Sequence, residues 1–247
     1  MKTTLQRLLP PILGAVGFLL RLLQQGVFEP DTGLAQPGAP ISAAMALYLA
    51  AVGVFLLIWA LREKKETKLD MDTGFAPPPQ RMLPVLVCAV MLMAVGGALV
   101  AYGGYQAGEV LHLVLGGIAV VAAACLFWGL AAWRRGGNCG AFLVAPALMS
   151  VVWLLLTYRQ YADYPVLEAL YVQILAIAAF TYGFYQVAAY GFALGSRRTT
   201  RFILPAATVL GLTVLADDLS LGLICLYVGC TVVLYGFSLL ERPAHMD

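Results

Sequence analysis

An arginine interrupts the first apolar run of the chain and is the clearest candidate for a chemical role. Arg21 lies several residues from the end of a helix that this run predicts. At about 100° per residue, the side chains on its helix face are small or polar: Gly14, Gly17, Gln24 and Gln25. Small residues let a neighbouring helix approach closely, so we expect Arg21 to face protein rather than lipid. An arginine placed in this way forms a structural ion pair or contacts an anion or carboxylate.

The sixth predicted helix carries a second set of polar residues along one line. The set falls within about 40° around the helix and consists of Glu168, Tyr171, Tyr182, Gln186 and Tyr190. Such a stripe lines a cavity or makes hydrogen bonds between helices. Glu168 lies at a depth similar to that of Arg21, and we predict that the two pair directly or through a ligand.

The segment from Thr157 to Pro165 has an unusual density of polar aromatic and charged residues. Its candidate ligand-binding residues are Tyr158, Arg159, Tyr161 and Asp163. Arginine flanked by tyrosines can hold an anionic or planar ligand by forked hydrogen bonds and stacking. Tyrosines also favour the membrane interface, which is the simpler explanation of the pattern. Among the candidate site segments, this one ranks first.

His112 and Glu109 lie near each other at the start of the fourth predicted helix. With nearby aspartates they could supply metal ligands, but the spacing is not diagnostic and no metal site is predicted. Asp217 or Asp218 is expected to cap the last helix. The sequence contains no zinc-protease, nucleophile-elbow, P-loop or dinucleotide-binding signature, so no catalytic residue and no cofactor are predicted.

Long apolar runs place these residues in a membrane protein. Hydrophobic residues make up 62% of the 247 residues and charged residues 11%, whereas a soluble domain is about a quarter charged. A bilayer needs about 20 apolar residues per helix. We predict one all-α domain over 1–247, a polytopic transmembrane bundle of eight helices at about 8–27, 41–61, 83–102, 110–133, 140–158, 165–194, 200–216 and 219–240.

The distribution of basic residues predicts the orientation of the bundle. Of the 15 Lys and Arg residues, all except Arg21 and Arg159 fall before the first helix, after the last, or between helices 2–3, 4–5 and 6–7. Basic residues favour the cytoplasmic side. Both termini are therefore predicted to be cytoplasmic, in a multi-pass protein of the plasma membrane, and the acids and tyrosines gather outside.

The longest connection, 62–81, carries a charged cluster followed by Pro77, Pro78 and Pro79. We expect it to be a solvated loop on the cytoplasmic side. A segment that binds a partner protein is the alternative.

These features predict a bacterial-type multi-pass membrane protein that acts as a small-solute transporter or transporter subunit with an outward-facing polar site. The alternative is a non-catalytic membrane sensor, scaffold or assembly partner, and an enzyme ranks last. The expected partners are the lipid bilayer, a small polar or anionic ligand, and a membrane protein or a second copy of the chain. No basic block is dense enough to indicate nucleic-acid binding.

Overall fold

The computed structural model describes residues 2–27, 40–63, 66–137, 139–161 and 167–242, with the backbone alone for 2–6, 160–161 and 167–169. Within these ranges, eight helices are long and apolar enough to cross a membrane. They are α1 (Lys2–Gln25), α2 (Pro40–Leu61), α4 (Leu83–Ala107), α5 (Val110–Arg134), α6 (Gly140–Tyr161), α7 (Leu167–Gly191), α8 (Arg197–Thr213) and α9 (Leu221–Leu240). A short helix, α3 (Met71–Gly74), precedes α4, and a 3-10 turn (Val214–Ala216) follows α8. The prediction of an all-α bundle of eight apolar helices is confirmed.

The helices pack as an interconnected bundle. α4 packs against α5 and α9, while α6 lies against α5 and α7. α8 contacts α1, α2, α7 and α9, and α2 packs mainly on α8 and α1. Large apolar side chains such as Leu23, Leu47 and Val54 remain exposed on the outer surface, which suits a lipid environment.

Glycines allow α4, α5 and α9 to approach closely. A Cβ at Gly97 would lie 2.9 Å from the carbonyl oxygen of Gly116, and one at Gly96 would lie 2.7 Å from the backbone nitrogen of Leu226. A Cβ at Gly222 would lie 2.9 Å from the backbone nitrogen of Val100. These helices therefore pack backbone against backbone. This packing is common in membranes, because the hydrophobic effect does not drive helices together in lipid and close contacts at small residues do.

The bundle has two ends of different charge. We call the end where α2, α5, α7 and α9 finish the basic end, because Arg62, Arg134, Arg197 and Arg242 lie there. We call the opposite end, where α5 and α9 begin, the acidic end.

The segment 66–76 folds onto the basic end, and we call it the basic-end cap. Its strand β1 (Thr67–Leu69) pairs antiparallel with β2 (Gly195–Ser196). Asp70 then caps α3 through reciprocal bonds with Thr73, and these bonds lower the pKa of the Asp70 carboxyl. The prediction of a solvated loop is wrong for this segment.

An aromatic anchor and backbone bonds hold the basic-end cap. Phe75 is fully buried, with its ring centroid 4.7 Å from that of Tyr190 and 5.6 Å from that of Phe237. The amide of Ala76 donates to the carbonyl of Leu240 at 2.7 Å. The cap therefore joins α7 and α9.

Ion pairs add to these contacts. Arg197 donates to Glu66 at 2.6 Å, and Arg201 pairs with Glu63 at 2.9 Å. Two arginines of the basic end thus bind the segment that precedes α3.

Candidate functional site

A buried polar network surrounds Arg21 at the acidic end. The Arg21 side chain is fully buried, and its Nε donates to Oδ1 of Asp217 at 2.6 Å. Its Nη1 donates to Oε1 of Gln24 at 2.8 Å. The guanidinium carbon also lies 5.6 Å from the centroid of the Tyr171 ring, within cation–π range.

Two glutamines extend this network to neighbouring elements. Gln25 donates to Oδ1 of Asp217 at 2.8 Å, and Gln24 donates to the hydroxyl of Ser42 at 3.3 Å. The second carboxylate oxygen, Oδ2 of Asp217, is buried and has no hydrogen-bond partner among the described residues. The network connects α1 with α2, α7 and the turn after α8.

Glycines bring the helices together at this point. A Cβ at Gly14 would lie 2.6 Å from the Leu212 side chain, and one at Gly17 would meet Thr213. The glycine face of α1 therefore packs on α8, as the prediction that Arg21 faces protein requires. Since Asp217 balances the charge of Arg21, the pair is a structural ion pair that joins α1 to the turn after α8.

An open cavity of about 350 Å³ lies elsewhere at the acidic end, where α4 finishes and α5 and α9 begin. We call it the outer cavity, or the Glu109–His112 cavity after two of its polar residues. Its wall is largely apolar and glycine-rich, with three polar residues. It is lined by Leu99, Val100, Gly103, Gly104, Glu109, His112, Ser220, Leu221 and Gly222.

A second cavity of about 60 Å³, which we call the inner cavity, lies between α5, α6, α7 and α9. Its wall is more polar and includes His112 as well. It is lined by Leu111, His112, Leu115, Trp153, Leu156, Thr157, Gln173, Leu223 and Tyr227. Its volume is enough for a few water molecules or a small polar group. His112 contributes to the walls of both cavities.

The His112 imidazole is held by its neighbour on the same helix turn. Its Nδ1 pairs with the carboxylate of Glu109, three residues earlier. In a neutral imidazole, a carboxylate that accepts from Nδ1–H leaves Nε2 as the acceptor. No described residue forms a hydrogen bond to Nε2. The dyad therefore offers one acceptor nitrogen and one carboxylate to an occupant.

Aromatic rings form the inner wall of the second cavity. The ring centroids of Trp153 and Tyr227 lie 4.6 Å apart, and Phe180 lies 5.8 Å from Tyr227 behind them. All three residues are buried, so their positions are fixed by mutual packing.

The structure brings together three of the predicted site residues. Arg21, Gln25 and Tyr171 meet at Asp217 and the guanidinium group. The predicted partner of Arg21, Glu168, has its side chain outside the described residues, so that pairing stays a prediction.

The tyrosine–arginine segment does not join this network in the part of the chain that the structure describes. Tyr158 and Arg159 are exposed at the end of α6, whereas Arg21 is fully enclosed. The Tyr161 side chain and Asp163 lie outside the described residues.

The residues of the polar stripe on α7 differ in their exposure. Tyr182 is exposed and stacks on Tyr185, with centroids 6.0 Å apart. Gln186 is buried, and Tyr190 is buried at the basic end, where its hydroxyl lies 3.1 Å from that of Thr200. The stripe therefore does not line one continuous cavity.

Sequence reasoning missed the roles of Asp217 and of the His112 cavity. The prediction that Asp217 or Asp218 caps the last helix is wrong, because Ser220 caps α9 by accepting from the Leu223 amide at 3.4 Å. The sequence did indicate that Glu109 and His112 lie near each other, because they are three residues apart at the start of a helix. Nothing in the sequence indicated the cavity, which three helices form together.

The described residues contain no cluster of three or more His, Cys, Asp or Glu side chains able to hold a metal ion. Comparison of the chain with protein-family models, curated proteins and solved structures finds no match.

Proposed function

We propose that the protein is a small-solute transporter, or a subunit of one, and that its solute site is the cavity lined by Glu109 and His112. The observation that carries the proposal is the open cavity of about 350 Å³ at the acidic end, with a smaller polar cavity behind the same histidine. Small-molecule sites in proteins are typically apolar clefts of this size with a few fixed polar groups.

The charge distribution supports an outward-facing site in the plasma membrane. Arginines and lysines gather at the basic end, and such residues favour the cytoplasmic side. In the orientation that we propose, both termini are cytoplasmic and the Glu109–His112 cavity opens to the outside.

The proposed site differs from the segment that ranked first in the sequence. Arg159 is exposed and Arg21 is paired with Asp217, so neither lines the cavities. The Glu109–His112 cavity instead combines space with apolar surface and a few polar groups.

Reconstituted protein tests this function. Proteoliposomes should be screened by counterflow with amino acids, organic acids and amines. We expect at least one solute to be transported, and His112→Ala to reduce its flux about tenfold or more by removing a group that positions it. Asp218→Asn, at the same end but in neither cavity wall, is the matched control and should retain flux. No flux with any of the solutes, or equal flux in His112→Ala, would reject the proposal.

The second candidate function is a membrane scaffold or assembly partner, and the basic-end cap favours it. A folded, ion-paired segment presents a fixed surface to a partner protein, which a solvated loop does not. A partner that co-purifies with the intact chain and is lost in Phe75→Ala would support this candidate. A partner-free protein with its own flux would exclude it.

A further inference from the structure

We infer that the solute of the Glu109–His112 cavity is a protonated amine with a small apolar body. This inference rests on the proposed function and narrows its substrate class. The charged residues that line the two cavities favour a cation over the anionic ligand that the arginines of the sequence indicated.

The charged side chains in the cavity walls favour a cationic solute. Among the described residues, Glu109 is the single carboxylate in the two walls, and neither wall includes a lysine or an arginine. The Arg21 charge is balanced by Asp217 at 2.6 Å and lies outside both walls. An anion entering here would meet a carboxylate without a compensating cation, whereas an ammonium group would be attracted to it.

The hydrogen-bonding groups of the cavity walls favour a solute that donates hydrogen bonds. Glu109 pairs with Nδ1 of His112, so Nε2 of the neutral imidazole is available as an acceptor, and Glu109 contributes its carboxylate oxygens. Behind the histidine, Thr157 and Gln173 supply a hydroxyl and an amide oxygen to the inner cavity. An ammonium carries three N–H donors and no acceptor, which matches this set.

The aromatic wall adds a further attraction for a cation. Trp153 and Tyr227 both line the inner cavity and are fixed by their packing, with centroids 4.6 Å apart. Ring faces attract ammonium groups, most strongly where water is excluded.

The outer cavity fits the rest of the molecule. Leu99, Val100 and Leu221 form apolar surface there, and Gly103 and Gly104 leave space beside α4. A body the size of one aromatic ring can occupy this volume while its ammonium group lies at the Glu109–His112 dyad.

Three probes of similar shape and different charge test the inference: 2-phenylethylamine, 3-phenylpropionate and 2-phenylethanol. Their affinities for the purified full chain in detergent should be measured by titration calorimetry at neutral pH. We expect the amine to bind about tenfold or more tightly than either other probe, because it alone makes a charge-assisted bond to Glu109. Glu109→Gln should weaken amine binding about tenfold and change alcohol binding less than about twofold. Asp218→Asn is the matched carboxylate control and should change neither.

Each other outcome overturns the amine inference. These outcomes are equal or tighter binding of the anion or the alcohol, amine binding that does not respond to Glu109→Gln, and no binding of any probe. The transport proposal is judged separately, because flux of any solute that depends on His112 would sustain it after the amine inference had failed.

Discussion

Arg21 and Asp217 lie 196 positions apart in the chain, and the Nε of the arginine lies 2.6 Å from Oδ1 of the aspartate. Both side chains are buried, at 0% and 2% exposure. The first spanning helix is thereby tied to the turn that follows α8. Removing one member of a buried charge pair strongly destabilises a protein, whereas replacing both members with apolar residues changes its stability little.

Removal of one member of this pair should destabilise the protein. Arg21→Met leaves the Asp217 carboxylate buried without its partner, and we expect a loss of about 3–5 kcal/mol in the free energy of unfolding. The double variant Arg21→Met with Asp217→Leu should recover most of that loss, because no charge remains buried. Unfolding in detergent, followed by circular dichroism, measures both. If the double variant were as unstable as the single one, the pair would not be the tie described.

Two adjacent glycines on α5 give a matched test of the helix packing. A Cβ at Gly116 would contact the backbone of Gly97 and Ala101, whereas a Cβ at Gly117 would meet nothing within 4 Å. We expect Gly116→Ala to destabilise the protein by about 1–3 kcal/mol through overpacking, and Gly117→Ala to be neutral or stabilising. Similar melting temperatures for the two variants would contradict the close α4–α5 approach.

Phe75→Ala tests whether the basic-end cap is part of the folded core. Phe75 is fully buried between Tyr190 and Phe237. Its truncation should cost about 3–5 kcal/mol, as for other buried aromatic residues. An unfolding midpoint unchanged from that of the parent chain would return the segment to the status of a solvated loop.

Glu241 should make stability depend on pH. Burial raises the pKa of its carboxyl from 4.5 to about 7, although Arg201 and Arg197 oppose the shift. The folded state therefore binds more protons than the unfolded state between about pH 4.5 and 7, and stability falls as pH rises through that window. The loss should be on the order of 1–3 kcal/mol.

Melting temperatures at pH 5 and pH 8 measure this effect. Glu241→Gln should remove most of the difference, because the amide does not ionise. Asp72→Asn is the control, since Asp72 is an exposed carboxylate in the basic-end cap. A pH dependence that survives in Glu241→Gln would contradict the assignment.

Much of the fold could be predicted because apolar run length directly determines a spanning helix. The predicted range 110–133 compares with an observed helix of Val110–Arg134, and 41–61 compares with Pro40–Leu61. The basic-end cap was missed because charged residues and prolines are typical of solvated loops. Only the tertiary position of Phe75, beneath the end of α9, reveals that the segment folds.

The site was predicted in part, for a similar reason. Periodicity on α1 correctly placed Arg21 on a face that packs against protein, since that property depends on one helix. Its partner Asp217 could not be selected from the other acids without knowing which helices are neighbours. The cavity at His112 depends on three helix ends at once, and no local pattern specifies its volume.

The central claim is that the outer cavity at the acidic end holds the solute, and a plug in that cavity tests it most directly. Gly103 lines the cavity, and a Cβ there would meet nothing within 4 Å, so Gly103→Leu can fill the space without a backbone clash. Gly117→Leu adds the same side chain at a site that is equally open but lies outside the cavity wall. Solute flux into proteoliposomes should fall about tenfold or more in Gly103→Leu and stay within about twofold of the parent in Gly117→Leu. Equal flux in the two variants, with both correctly folded, would contradict the assignment of this cavity.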